Sequence, residues 1–205
     1  MPAVQQRLER HLIGWEEYCD VSSVMDLSIT DCVIEWCIPL LIQQNVNSVD
    51  HEMDFFNRSW HEFKVGFNDS TGNYWLGNEL LHQLTLSGRY KLKFELQSLA
   101  TRMWHYAEYS TFIVLGESIN YLVHVGGYSG NAGQDSFMLH NGMMFTTYDR
   151  DNDVSSKNCA EMNSSGFWFR SCSAVNVNGV SRDFRWYGLP GGSALQSTRM
   201  WLQCQ

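Results

Sequence analysis

The sequence predicts an α+β domain in which short helices come first, strands follow, and a long loop-rich part completes the chain. Three observations carry this prediction. Aromatic residues at 60, 63 and 67 recur at helical spacing ahead of and beyond Gly66, apolar and polar residues alternate at period two from Tyr90 to Leu96, and the texture changes at Gly126, after which Gly, Ser, Asn and Asp dominate.

The elements follow in sequence order. The first dozen residues are polar and read as a helical turn or a linker. Between Trp15 and Ile42 short apolar runs containing Cys19, Cys32 and Cys37 read as two or three strands, without clean alternation. Asn57 to Phe67 reads as a short amphipathic helix ended by Gly66, because glycine readily takes the backbone conformation that closes a helix. A second short helix spans Leu80 to Leu86. Strands are expected at Tyr90 to Leu96, Tyr109 to Leu115 and Tyr121 to Val125. The rest is loop. About 80 residues of loop are unusual in a compact domain unless they are functional or cross-linked.

Composition narrows the function classes. With 205 residues the protein is able to bury a sizeable core, and 44% hydrophobic residues with 14% aromatics favour a compact tryptophan-rich globule over disorder. The net charge of −8, with no basic cluster, argues against binding nucleic acid or an anionic membrane through phosphates. The longest apolar run, Trp36 to Ile42, is interrupted by Pro39 and is far short of the roughly 20 residues that span a bilayer.

Six cysteines, at 19, 32, 37, 159, 172 and 204, fit three disulfides or buried free thiols, and the spacing of Cys159 and Cys172 across a Gly/Ser turn favours a bridge there. Glycosylation sequons at Asn57, Asn68 and Asn163 also point to a secreted protein. Residues 1–14 contain no apolar segment of the kind a secretory signal needs, so the sequence is expected to be a fragment of a longer secreted protein or an atypical product.

The sharpest chemical feature is Asp149-Arg150-Asp151-Asn152-Asp153. Alternate carboxylates in a short loop present the hard oxygen ligands that calcium takes. The loop is not an EF-hand, because Val154 stands where that loop needs Gly and Ala160 where it needs Glu. A solvated acidic turn that satisfies its own backbone is the alternative. Enzyme chemistry is poorly represented. The seven histidines lack metal-binding spacing, and there is no nucleophile elbow, phosphate-binding loop or dinucleotide fingerprint.

A longer series of motifs resembles a known family. Phe56-Asn-Arg-Ser-Trp60-His-Glu-Phe63-Lys-Val-Gly66-Phe67, Tyr74-Trp-Leu-Gly-Asn-Glu79 and His82-Gln-Leu-Thr85 begin it. Ala107-Glu-Tyr109, Tyr128-Ser-Gly130-Asn-Ala132-Gly133-Gln-Asp135, Gly142-Met-Met-Phe145-Thr-Thr147, Asn158-Cys159-Ala160, Gly166-Phe-Trp168-Phe169 and Asn176-Val-Asn178-Gly179 continue it. In that order they resemble the fibrinogen C-terminal domain family, which includes ficolins, tachylectins, angiopoietins and tenascins, over about residues 41 to 202.

The resemblance implies a fibrinogen C-terminal globe with a central twisted antiparallel sheet and short helices. It divides the sequence into a divergent segment at 1–40 and the domain proper at 41–205, with the sheet at about 41–125 and a loop-rich, calcium-binding subdomain at about 126–205. Calcium would be held by the side chains of Asp151 and Asp153 and the backbone carbonyls of Ser155 and Lys157, with Asp149 outside the coordination sphere. Cys159 and Cys172 match the family's loop-closing disulfide, and a cis peptide is implied at Ser171-Cys172.

In the lectin branch the amides of Cys172 and Ser173 would then face an acetyl carbonyl, with Ser171, Asn163 and Trp186 as further ligand-binding candidates. Tyr187, Phe167 and Trp168 are candidates for an apolar floor, the last two being equally suited to the core. The sequence departs from that branch at Ser173, often His in lectins, and at Gly192, where an aromatic is usual. No cysteine upstream of Cys19 exists to pair with it, and Cys32, Cys37 and Cys204 offer substitute bridges.

The function this implies is a secreted, non-enzymatic, calcium-supported lectin for acetylated glycans in innate immunity. The competing reading is a receptor- or matrix-binding module of angiopoietin or tenascin type. Either would be expected to oligomerise through an upstream region, because weak single sites gain avidity when linked.

Overall fold

The protein is described by a computed structural model, which defines residues 40–45, 55–70, 72–86, 90–172, 174–179 and 183–204. The strands expected before residue 40 and the pairing of Cys19, Cys32 and Cys37 lie outside the described residues.

Helix α1, Trp60–Val65, begins at a reciprocal cap. The Ser59 side chain accepts from the Glu62 amide, and Glu62 Oε2 accepts from the Ser59 amide at 2.9 Å. Such a cap stabilises a helix start by about 1 kcal/mol. The helix buries Trp60 and Phe63 and stops at Gly66, whose φ of 87° and close approach to the Leu76 carbonyl leave no room for a side chain. Helix α2, Asn78–Thr85, buries Leu80, Leu81 and Thr85. Thr85 Oγ1 donates to the Leu81 carbonyl and accepts from the Val114 amide, so the helix is tied to the sheet by a hydroxyl as well as by apolar contact.

Seven strands make the main sheet: β1 Leu40–Asn45, β2 Phe67–Asn68, β3 Tyr74–Trp75, β4 Tyr90–Ser98, β5 Trp104–Val114, β6 Val123–Gly130 and β9 Leu195–Cys204. A separate short pair joins β7, Val175–Asn176, to β8, Arg185–Trp186. The order across the main sheet is β2-β3-β1-β9-β4-β5-β6, and every pairing is antiparallel. The alternation read from Tyr90 to Leu96 is real: Leu92, Phe94 and Leu96 are buried while Lys91, Lys93 and Glu95 are partly exposed.

Strand β5 begins at Trp104 rather than Tyr109, the two-residue strands β2, β3, β7 and β8 stand where none is expected, and two longer strands also differ. Strand β6 starts later than Tyr121, whose φ of 49° places it in a turn, and it runs through Gly126, Gly127 and Gly130. Gly127 and Gly130 suit β6 to the neighbouring β5. A side chain at Gly127 would meet Ser110 Oγ, and one at Gly130 would meet the Tyr106 carbonyl. The region from 126 onward, expected to be loop, also supplies β9, which lies between β1 and β4 near the middle of the sheet. Its buried inward residues Met200 and Leu202 are separated by the partly exposed Trp201, the expected strand period, but the polar run Gln196-Ser-Thr198 obscures it.

The core is aromatic and draws on every part of the fold. Phe63 from α1, Trp75 from β3, Phe145 and Trp168 form one cluster, with Phe145 centred 5.1 Å from both Phe63 and Trp168 and 5.7 Å from Trp75. Edge and tilted ring pairs of this kind each add about 1 kcal/mol beyond simple burial. The loop-rich part is thereby anchored to the sheet through Phe145 and Trp168, while residues 148–158 between them follow the surface.

Candidate functional site: the acidic loop and the Cys172 turn

The acidic segment leaves the core at Phe145 and returns to it at Cys159. Thr147 and Arg150 exchange both backbone hydrogen bonds, at 3.0 and 3.1 Å, around a tight turn at Tyr148-Asp149. Asp149 points back toward helix α1: its Oδ1 accepts from the Trp60 amide at 2.9 Å and from Thr147 Oγ1 at 2.7 Å. Arg150 stacks 4.0 Å over the Trp60 ring and donates to Asn120 Oδ1 at 2.6 Å. Lys64 and Trp60 Nε1 both donate to Glu117, whose carboxyl these partners hold below the usual range. The entry to the loop is therefore fastened to α1 by a hydrogen-bonded and cation–π cluster.

Asn152 is fastened on the inner side, its amide nitrogen donating to the Phe145 carbonyl at 2.7 Å and its backbone N–H to Thr146 Oγ1. The residues flanking it, Asp151 and Asp153, are exposed and partly exposed. Asp153 is well held. Its Oδ1 accepts from the Ser155 amide and its Oδ2 from the Cys159 amide, both at 2.8 Å, while Asp151 Oδ1 accepts from the Asp153 amide at 3.3 Å. Partial burial pushes the Asp153 carboxyl above its ordinary value, the two amides oppose this, and neighbouring Asp151 adds to it.

The two neighbouring carboxylates are oxygen donors of the kind a hard cation takes. Among the described residues no group of three or more His, Cys, Asp and Glu side chains could hold a metal, so any ion beside Asp151 and Asp153 would have to complete its shell with backbone carbonyls and water. Such a shell fits calcium and not zinc. Ser155 and Lys157 lie on the same loop, the Lys157 amide donating to Ser155 Oγ at 3.2 Å.

Beyond the loop lies the turn at Cys172. The Cys159–Cys172 disulfide is present, with the two Cα atoms 5.1 Å apart. The Val154 amide donates to the Arg170 carbonyl at 2.9 Å. The cis peptide expected at Ser171-Cys172 is absent: no peptide bond among the described residues is cis, and the backbone turns instead through a left-handed Cys172 with φ of 52°. Ser171 is exposed and Cys172 partly exposed, and Ser173 lies outside the described residues.

The other ligand-binding candidates sit elsewhere. Trp186 is fully buried, its ring 5.1 Å from Phe94 in the core. Asn163 is 5% exposed, and its amide nitrogen donates to the Cys159 carbonyl at 2.7 Å, so this sequon is turned inward, whereas Asn57 and Asn68 are exposed. Phe167 and Trp168 are also core residues, Trp168 Nε1 donating to the Tyr121 carbonyl. Tyr187 is the aromatic that stays in solvent beside the turn, 57% exposed, with its amide on the Ala174 carbonyl at 2.9 Å.

Two supporting residues escape a reading of the sequence. Asn158 caps helix α3, Cys159–Asn163, and also contacts the loop entry. A side chain that both donates and accepts, placed just before Cys159, is the available signal. His140 is fully buried, with Nδ1 2.8 Å from the Trp168 carbonyl and Nε2 3.1 Å from the Val175 amide. That geometry calls for a proton on Nδ1 and none on Nε2. Burial pushes the imidazole down to about 4.

The family model for the C-terminal globular domain of fibrinogen beta and gamma chains matches residues 39–194. The protein belongs to the fibrinogen C-terminal domain family. Human Ficolin-3 is 43% identical over 130 residues, covering 63% of this chain and 43% of its own length. Angiopoietin-4 of Bos taurus is 38% identical over 160 residues, covering 71% of this chain and 31% of its own. The sequence thus spans less than half the length of these relatives.

Among solved structures, the fibrinogen-like globe domain of human ANGPTL2 superposes with a TM-score of 0.71 at 36% identity, covering 80% of this chain and 79% of that one. The antiparallel sheet with few short helices described above is therefore the fibrinogen globe. This family consists of extracellular recognition modules and not of enzymes, and the domain shares that character. No helix among the described residues is long and apolar enough to cross a membrane.

Proposed function

We propose that this fibrinogen-type domain is a secreted, calcium-supported lectin that binds acetylated glycans in innate immune recognition, its ligand face being the turn at Ser171-Cys172-Ser173. Calcium is held by the Asp151 and Asp153 carboxylates with the Ser155 and Lys157 carbonyls. The observation that carries this reading is the double tie between the acidic loop and the turn, made by the Val154 amide on the Arg170 carbonyl and by the Cys159–Cys172 disulfide. A bound cation neutralises the two adjacent carboxylates and so stiffens a loop that braces the turn. The similarity to Ficolin-3 supports the glycan assignment. Exposed Asn57 and Asn68 suit a secreted glycoprotein, and oligomerisation through a region outside this chain supplies avidity.

One observation favours a second reading. With Asn163 and Trp186 buried, the side-chain walls of a sugar pocket are reduced, and the exposed Tyr187 beside the turn suits contact with a receptor or matrix protein. Similarity to Angiopoietin-4 and to the ANGPTL2 globe agrees with it. The two are separated by passing folded, calcium-loaded protein over immobilised N-acetylglucosamine. The lectin reading requires retention and release by free sugar and by chelator, and flow-through of the folded protein would leave the protein-binding reading in its place.

A further inference from the structure

We infer that Asn158 sets the aperture of the calcium loop, acting as a positioning residue for Asp153 without touching the ion. The inference rests on the calcium reading proposed above and concerns a residue outside its ligand set. The loop is an excursion whose two ends meet at this one side chain. On one side Asn158 Nδ2 donates to the Thr147 carbonyl at 3.0 Å and to the Tyr148 carbonyl at 3.2 Å, which lie at the loop entry. On the other side Oδ1 accepts from the Ala160 and Glu161 amides at 2.8 and 3.1 Å, at the start of helix α3.

A carboxamide is the group that does both. Aspartate keeps the two acceptor contacts but sets a second oxygen against two carbonyl oxygens, and serine keeps a helix cap but is too short to hold the loop entry as well. The next residue along is the one that matters for the metal. The Cys159 amide donates to Asp153 Oδ2 at 2.8 Å, so the position of the Asp153 carboxylate depends on where the first turn of α3 is held relative to Thr147 and Tyr148. Asn158 fixes that relation. Cys159 is also held by its disulfide and the loop entry by the contacts of Asp149 and Arg150 with α1, and Asn158 is the side chain that joins these two ends to each other.

This role has a sign opposite to that of simple electrostatics. A negative charge added near a cation site raises affinity when geometry is unchanged, whereas loss of the entry contacts lowers it. Asn158→Asp sets the two effects against each other, and Asn158→Ser removes the contacts without adding charge. Calcium chloride is titrated calorimetrically into wild-type domain, the two variants and Asp151→Ala/Asp153→Ala, and melting is followed in chelator to establish that each is folded.

The expected result is wild-type binding, no binding in the double alanine variant, and at least fivefold weaker binding in both Asn158 variants. Affinity in Asn158→Asp equal to or tighter than wild type overturns the inference, as does wild-type affinity in Asn158→Ser if Asn158→Asp fails to fold. Wild-type protein that binds no calcium overturns the calcium reading itself and this inference with it, an outcome distinct from either.

Discussion

Acidification should destabilise this domain through one histidine. His140 is neutral in the folded protein because burial disfavours the charge and because both ring nitrogens are committed, Nδ1 to a carbonyl and Nε2 to an amide that needs an acceptor. Its pKa falls from an ordinary 6.5 to about 4. The unfolded protein therefore binds a proton that the folded protein refuses, and the stability present above pH 6.5 is lost as pH falls toward 4. At 1.36 kcal/mol per pKa unit the full loss is about 3 kcal/mol, of which about 2 kcal/mol has gone by about pH 5.

Carboxylates do little in that window. Glu62, held low chiefly by the Ser59 amide, and Glu117, held low chiefly by Lys64, lose their stabilising effect only at lower pH, while raised Asp153 is relieved by acid. Urea denaturation followed by tryptophan fluorescence at about pH 7.5 and about pH 5, in chelator throughout, measures the difference. His140→Gln keeps an amide donor and a carbonyl acceptor but cannot titrate, so it should be less stable than wild type at the higher pH and should lose about 2 kcal/mol less on going to the lower one. An equal loss in wild type and variant would refute the reasoning.

Other outcomes follow from the same contacts. Asp151→Ala/Asp153→Ala should abolish the calcium-dependent rise in melting temperature, which in wild type corresponds to about 2.7 kcal/mol when calcium is at about 100 times its dissociation constant. Scanning calorimetry with and without calcium tests it. Cys159→Ala/Cys172→Ala opens a link with a sequence separation of 13 and should cost about 3 kcal/mol by the loop-closure entropy account, measured by urea denaturation against wild type. Gly66→Ala forces a side chain into the left-handed conformation and toward the Leu76 carbonyl, 2.6 Å from where its Cβ would lie, so a loss of more than about 1 kcal/mol is expected in the same assay.

Legibility in the sequence depends on whether the deciding interactions are local. Helix α1 is legible because Ser59, Glu62 and Gly66 define its ends within one short segment, and β4 because one face is buried and the other is wet. The continuation of strand β6 beyond Val125 is not, because Gly127 and Gly130 answer to the close approach of β5, a neighbour that no local pattern reveals. Strand β9 is hidden because burial on both sides at Gln196, Ser197 and Thr198 suppresses alternation. At the site, the resemblance implies Asp151 and Asp153 as ligands and pairs Cys159 with Cys172, and that disulfide is present. Asp149 looks like part of the same acidic set, yet the Trp60 amide takes it, and that contact spans 89 positions of sequence. Trp186 looks like a surface aromatic among loops and is core because Phe94 of β4 lies behind it.

The place of β9 bears on how the molecule is made. Strands β1 and β4 have no pairing with each other and are bridged by Leu195–Cys204, so during synthesis both wait with unsatisfied edges until nearly the whole domain has left the ribosome. Helices and the β4–β5 hairpin can form early, but closure of the sheet is a late, long-range event of the kind that folds slowly and exposes strand edges to aggregation. A nascent polypeptide stalled before residue 195 would hold most of the acidic loop's local contacts and still lack the strand that joins the two halves of the sheet.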